Sequence, residues 1–125
     1  QDPVDQLFGP TVADDVAFGP RNMGQDRAQA GQLALRTLAA LQLEHLAERP
    51  VQQLSGGEQR LVALAGVLAM SPRVLLLDEP SNGLDEASCE RLFACLLDTG
   101  LPMLIASHDQ TLVQRLGTRI LTLPA

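Results

Sequence analysis

Two adjacent carboxylates, Asp78 and Glu79, close the apolar run Val74-Leu75-Leu76-Leu77 and are followed by Pro80. Proline disfavours helical geometry at the residue before it, so Glu79 is expected to be extended, at the carboxyl end of a strand. Successive strand side chains face opposite ways, so the two acids cannot do the same job. One can hold a hard cation, directly or through water, while the other orients or deprotonates an attacking water. Thirty positions after Asp78 stands His108, in a Ser107-His108-Asp109 run that follows a second apolar stretch, Leu104-Ile105-Ala106. That separation suits a strand–helix–strand crossover, which makes the two strands parallel and brings their carboxyl ends to one sheet edge. Open α/β sheets bind ligands at that edge, so His108 is expected beside the carboxylates. Ser55-Gly56-Gly57 offers backbone N–H groups and a hydroxyl at the start of a helix, which suits an anion. Together these are the parts of phosphoryl transfer to water.

The elements that must position these groups can be read from local chemistry. Thr11 to Asp14 has the form T-x-x-D, predicting a short capped helix closed by Gly19-Pro20. Gln25 to Leu43 carries Leu35, Leu38 and Leu41 at helical steps, with Gly31 weakening its first half. Ser55-Gly56-Gly57-Glu58 fits a capping box ahead of Leu61, Leu64, Ala65, Leu68 and Ala69. Val74–Leu77 is expected as a strand covered on both faces. Asp85 can cap a helix whose apolar stripe is Cys89, Leu92, Phe93, Leu96 and Leu97. Leu104–Ala106 is a second covered strand, Ser107-x-x-Gln110 caps a short helix, and Arg119–Leu123 is a third strand. Alternating strands and helices of this kind predict an α/β domain with a parallel sheet, preceded by a mainly helical first part.

Composition narrows the function classes. The chain has 125 residues, 46% of them apolar and 2% aromatic, which suits one globular domain with an aliphatic core. Its net charge is −6, which argues against phosphate-backbone binding to nucleic acid. All nine basic residues are Arg, so the chain contains no P-loop lysine. Cys89 and Cys95 lie on different faces of one predicted helix and are expected as two reduced thiols. His45 has no partner at metal-ligand spacing and is expected to be solvated; Met23, Met70 and Met103 are expected to be packing residues.

In combination the motifs carry a family resemblance. Leu54-Ser55-Gly56-Gly57-Glu58-Gln59-Arg60 resembles the signature motif of ABC-type ATPases, and Val74–Pro80 resembles their Walker B segment. Ser81-Asn82-Gly83-Leu84-Asp85 is similar to the D-loop, and Ser107-His108-Asp109 to the switch-histidine region. Gln1 stands in the Q-loop glutamine position. Asp2-Pro3, Gln6-Leu7-Phe8 and Ala17-Phe18-Gly19-Pro20 resemble the ATPases of energy-coupling-factor and cobalt/nickel importers. Three departures stand out: Glu58 where Gln is commonest, Asn82 where a small residue is usual, and Ser107 for the commoner Thr.

The resemblance implies the carboxyl-terminal part of a P-loop NTPase (ABC ATPase) domain, lacking the Walker A loop. Residues 1–9 would be a Q-loop hinge, 10–70 a helical subdomain with the signature motif, and 71–125 the second half of the nucleotide-binding core. It implies ATP and Mg²⁺ as ligands. Glu79 would be the general base and Asp78 would hold Mg²⁺ through water. His108 would contact the γ-phosphate, and Gln1 would sense Mg²⁺ and the attacking water. Ser55, Gly56 and Gly57, with Glu58 in their loop, would face ATP held by a second ATPase subunit in a head-to-tail dimer, with Asp85 at that interface. A transmembrane permease subunit would dock through the Q-loop region, where Leu7 and Phe8 fit either a docking surface or local core. The whole would work on the cytoplasmic face of a bacterial membrane, driving uptake of a metal ion such as cobalt or nickel, or of a vitamin. The chain on its own is expected to be inactive and prone to associate. Two other classes fit the same motifs: a soluble non-transport ABC ATPase, and a non-enzymatic module that pairs with an intact ATPase.

Overall fold

Each α-helix of the computed structural model, which describes residues 10–117 and 119–122, starts on a side chain that accepts an otherwise orphaned backbone N–H. Helix α1 (Val12–Asn22) opens on a reciprocal box between Thr11 and Asp14, and α2 (Arg27–Ala40) on Asp26, which accepts from the Gln29 N–H at 2.8 Å. Two short 3₁₀ turns follow, Glu44–Leu46 and Val51–Gln53, before α3 (Gly56–Ala69). Strand β1 (Leu75–Asp78), helix α4 (Glu86–Thr99), strand β2 (Met103–Ala106) and helix α5 (Gln110–Leu116) complete the order. The chain divides into two compact units between Pro72 and Arg73.

In the first unit α1 packs against both α2 and α3, and α2 packs against α3. The segment around Arg49 is tied to the start of α1 by backbone bonds, Val12 N–H to the Arg49 carbonyl and Ala13 N–H to that of Ala47, both 2.9 Å. Helix α1 does not close at Gly19-Pro20 as expected but runs through a buried Pro20 to Asn22. An interior proline costs about 3 kcal/mol of helix propensity, and tertiary packing outweighs it here. Gly19 lies so close to Met70 that a Cβ would stand 2.6 Å from its Cγ and Sδ, so this glycine serves helix contact rather than helix ending. In α2 the buried stripe is Ala30, Ala34, Thr37 and Leu38, whereas Leu35 is exposed. Small residues four apart let the helices approach, a preference that counting leucines misses. Met23 is likewise exposed rather than packed, and His45 is exposed as expected.

The second unit is a strand–helix–strand crossover. Strands β1 and β2 pair in parallel, with Leu75 opposite Met103 and Asp78 opposite Ala106. Helix α4 begins on Asp85, which accepts from the Ser88 N–H at 2.7 Å, and ends at Gly100 in the left-handed region at φ 66°. It buries Ser88, Leu92, Phe93, Cys95 and Leu96, while Leu97 is exposed and Cys89 only half-buried. Both cysteines are free, and burial is the main cause that pushes each thiol above its ordinary range.

Three expectations are corrected in this unit. Leu75 is buried, but Leu76 and its partner Leu104 are 73% and 67% exposed, so the strands are covered on one face, not both. Of the strand expected at Arg119–Leu123, residue 123 lies outside the described residues and 119–122 form no strand, since a strand needs a backbone partner and the sheet among the described residues contains β1 and β2 alone. Helix α5 is capped by Asp109, not Ser107. Its carboxylate accepts from the Thr111 and Leu112 N–H groups at 3.0 and 3.2 Å, and an anion is the better acceptor at a helix start.

Candidate functional site

The parallel register settles where the second unit gathers its polar groups. Asp78 ends β1 level with Ala106 at the end of β2, so the residues that follow both strands leave the same sheet edge. Glu79 extends the ladder by one bond, its N–H donating to the Ala106 carbonyl at 2.7 Å. It is not extended, as Pro80 led us to expect, but lies in the left-handed region at φ 48°. The proline disfavours the right-handed helical region. The ladder bond to Ala106 and the Asn82 N–H, which donates to the Glu79 carbonyl at 3.1 Å, then fix the turn. A non-glycine residue in such geometry carries strain of roughly 1–3 kcal/mol, a feature that clusters at functional sites.

The turn aims Glu79 at His108. The imidazole Nε2 is 3.6 Å from Glu79 Oε1, and the His108 N–H donates to Oε2 at 3.4 Å. The imidazole is 98% exposed and the carboxylate 33%, so the pair stands at the surface, open to a ligand. Asp78 is exposed beside it. Glu79, Asp78 and His108, predicted to meet although far apart in sequence, do meet at one edge. Asp85 caps α4 in the same unit.

Sequence reasoning missed the contact behind this pair. The Ser81 hydroxyl, buried, donates to Asp109 Oδ2 at 2.7 Å. The signal available was Asp109 itself, the last residue before a helical run and thus a ready cap. The Ser81 hydroxyl is the leading cause holding the Asp109 carboxyl below its ordinary range, followed by the Leu112 backbone N–H. The Ser88 N–H does the same for Asp85. A carboxyl depressed in the folded state contributes stability that is present above the unfolded pKa, about 3.9, and is lost as pH falls through the folded value. Asp85→Asn and Asp109→Asn should therefore each flatten the loss of stability below about pH 4, as followed by denaturant midpoints at stepped pH. Unchanged acid limbs would refute this.

In the first unit the Ser55-Gly56-Gly57-Glu58 loop forms the predicted box. Ser55 Oγ accepts from the Glu58 N–H at 3.1 Å and Glu58 Oε1 accepts from the Ser55 N–H at 3.0 Å. This leaves the N–H groups of Gly56 and Gly57 without a partner among the described residues. Ser55 and Gly56 are exposed, and a Cβ at Gly56 would meet nothing within 4 Å. The loop thus presents two free donors and a hydroxyl at a helix start. Gln1, Leu7 and Phe8 lie outside the described residues.

A metal fits this chemistry only in part. Among the described residues there is no group of three or more His, Cys, Asp or Glu able to cage an ion. Mg²⁺ does not need one, since it binds through one or two carboxylates plus substrate phosphates and water. Exposed Asp78 at the strand end meets that requirement.

Comparison with known proteins agrees with the motifs. The family model described as ABC transporter matches residues 4–82. An uncharacterised ABC transporter ATP-binding protein of Haemophilus influenzae is 51% identical over 98% of this chain and 57% of its own length. The cobalt import ATP-binding protein CbiO of Rhodobacter capsulatus is 46% identical over 96% of this chain and 44% of its own. The solved structure of cbiO1 from Clostridium perfringens, part of the cbiONQ ABC transporter complex, is 38% identical and superposes with a TM-score of 0.70 over 86% of this chain and 45% of its own. The chain spans about half the length of these relatives. An α/β fold with a small parallel sheet, a strand-end Asp-Glu pair whose glutamate faces a histidine, and these likenesses together make the chain a member of the ABC transporter ATP-binding family.

Proposed function

We propose that this chain is the signature, Walker B and switch-histidine part of the ATPase subunit of an importer for cobalt or nickel ions or for a vitamin. The observation that carries the reading is the Glu79–His108 pair, 3.6 Å apart at the carboxyl edge of the parallel strands. Glu79, whose carboxylate is partly open to solvent, takes the proton of the attacking water. His108 donates to the γ-phosphate, and Asp78 would hold Mg²⁺ through water. When bound, Mg²⁺ supplies charge neutralisation at the phosphate oxygens. Ser55, Gly56 and Gly57 contribute their free donors to the γ-phosphate of ATP held by a second ATPase subunit, with Glu58 bracing the loop and Asp85 at the shared interface. Gln1 reports on the metal and the attacking water.

The residues 1–9 hinge and the helical subdomain, residues 10–70, would face a transmembrane permease subunit, and residues 71–125 belong to the nucleotide-binding core. No described helix is long and apolar enough to cross a membrane. Attachment on the cytoplasmic face of a bacterial membrane would go through that permease. The importer type is supported by the likeness to CbiO and by the energy-coupling-factor pattern at Ala17-Phe18-Gly19-Pro20. With no Lys to cradle the nucleotide's phosphates, the 125-residue chain alone would not turn over ATP. Uptake of labelled cobalt and nickel by cells carrying the complete subunit tests the reading. His108→Ala should reduce uptake to background, and uptake indifferent to it would assign the chain to a non-transport ATPase or a non-enzymatic module.

A further inference from the structure

An exposed carboxylate–imidazole pair is a weak device for holding geometry. Such pairs contribute roughly 0–1 kcal/mol, and the His108 ring that faces Glu79 is almost fully exposed. The ladder bond from the Glu79 N–H to the Ala106 carbonyl holds the two strand ends level, but it does not reach the turns beyond them. Those turns are joined by the hydrogen bond from the Ser81 hydroxyl to Asp109 Oδ2, at 2.7 Å. Ser81 lies two residues beyond Glu79 and is buried; Asp109 is the immediate neighbour of His108. A hydrogen bond to a charged acceptor is among the stronger kinds, and here its donor is buried while the acceptor is half-buried.

Asp109 is itself fixed. Its Oδ1 accepts from the Thr111 and Leu112 N–H groups, and its own N–H donates to Ser107 Oγ at 2.9 Å. The helix it caps packs on α4 with Leu112 buried, and Arg115 adds a pair with Glu90 at 2.7 Å and a contact 4.8 Å from the centre of the Phe93 ring. One carboxylate therefore joins an anchored helix to the turn that follows Glu79, with one oxygen for each task.

We propose that Ser81 and Asp109 are positioning residues: their hydrogen bond latches the turn after Glu79 to the turn bearing His108, so that the two site groups keep their contact and move as one. The proposal gives the phosphate-facing site proposed above a mechanical coupling between its halves, and it rests on that reading only for its functional meaning. Opening the latch would separate the base from the histidine without touching either.

Nuclear magnetic resonance on the 125-residue chain, without nucleotide, tests this. The wild-type chain should show a cross-peak between the His108 ring and the Glu79 side chain, and a protected His108 N–H. Ser81→Ala should abolish the cross-peak and speed exchange at that N–H roughly fivefold, while α5 stays helical because its cap bonds remain. Thr and Val have the same shape and differ in the hydroxyl, so they separate the latch from packing if Ala disturbs the fold. Ser81→Thr should keep both signals and Ser81→Val should lose them. Equal behaviour of Thr and Val, or an undisturbed cross-peak in Ser81→Ala, would overturn the proposal. Since no nucleotide is added, a negative result leaves the ATPase reading standing, and failure of that reading leaves the latch standing.

Discussion

Glu79→Gln in the complete subunit lowers ATP turnover by roughly 10²–10⁴-fold, the range typical of a lost general base. The amide preserves the shape of the side chain and its place on the strained turn at φ 48°, but it has no basic oxygen to take the proton of water. ATP binding should survive, because the phosphate contacts proposed for Ser55, Gly56, Gly57 and His108 are untouched. Steady-state turnover measured beside equilibrium binding of labelled ATP checks both halves of the expectation. A fall of less than about tenfold would place the base elsewhere. Parallel loss of binding would mean that Glu79 holds the nucleotide instead of activating water.

Phe93→Ala unfolds the second unit at ordinary temperature. Phe93 is the largest side chain in that unit and is 2% exposed, in the middle of the face that α4 buries. Truncating a buried phenylalanine costs about 3–5 kcal/mol, and a unit of this size has a net stability of only several kcal/mol. The change also removes the ring beneath the Arg115 guanidinium, which anchors α5 and hence Asp109. The three-helix first unit keeps its own core, so circular dichroism should retain part of the helical signal while resonances of residues 73–117 collapse. A cooperative, wild-type-like transition for those residues would contradict the packing described for α4.

The helix starts were legible before any coordinates because a cap is a transaction between residues three apart. The Thr11–Asp14 and Ser55–Glu58 boxes and the Asp85 cap all form where local chemistry put them. The α5 cap was misplaced by two residues, since Ser107 and Asp109 are both competent and only the turn geometry separates them. Pro20 looked like a helix end because the partner that justifies continuing, Met70 against Gly19, lies at the end of a helix distant in sequence. Leu35 looked like core because periodicity shows that a face is apolar but not which face finds a neighbour.

The chemistry of the site was already implied by residue type and order: two acids after an apolar run, a histidine one crossover later, and a serine–diglycine helix start. Those features are local, or are fixed by the handedness and length of a crossover, and so survive without knowledge of packing. Folding in three dimensions settled the rest. It put Glu79 in a left-handed turn, set its carboxylate 3.6 Å from His108, and tied both turns through Ser81 and Asp109. It also left Leu76 and Leu104 bare on one side of the sheet. Each of these depends on contacts between residues far apart along the chain, whose free energies no local pattern encodes.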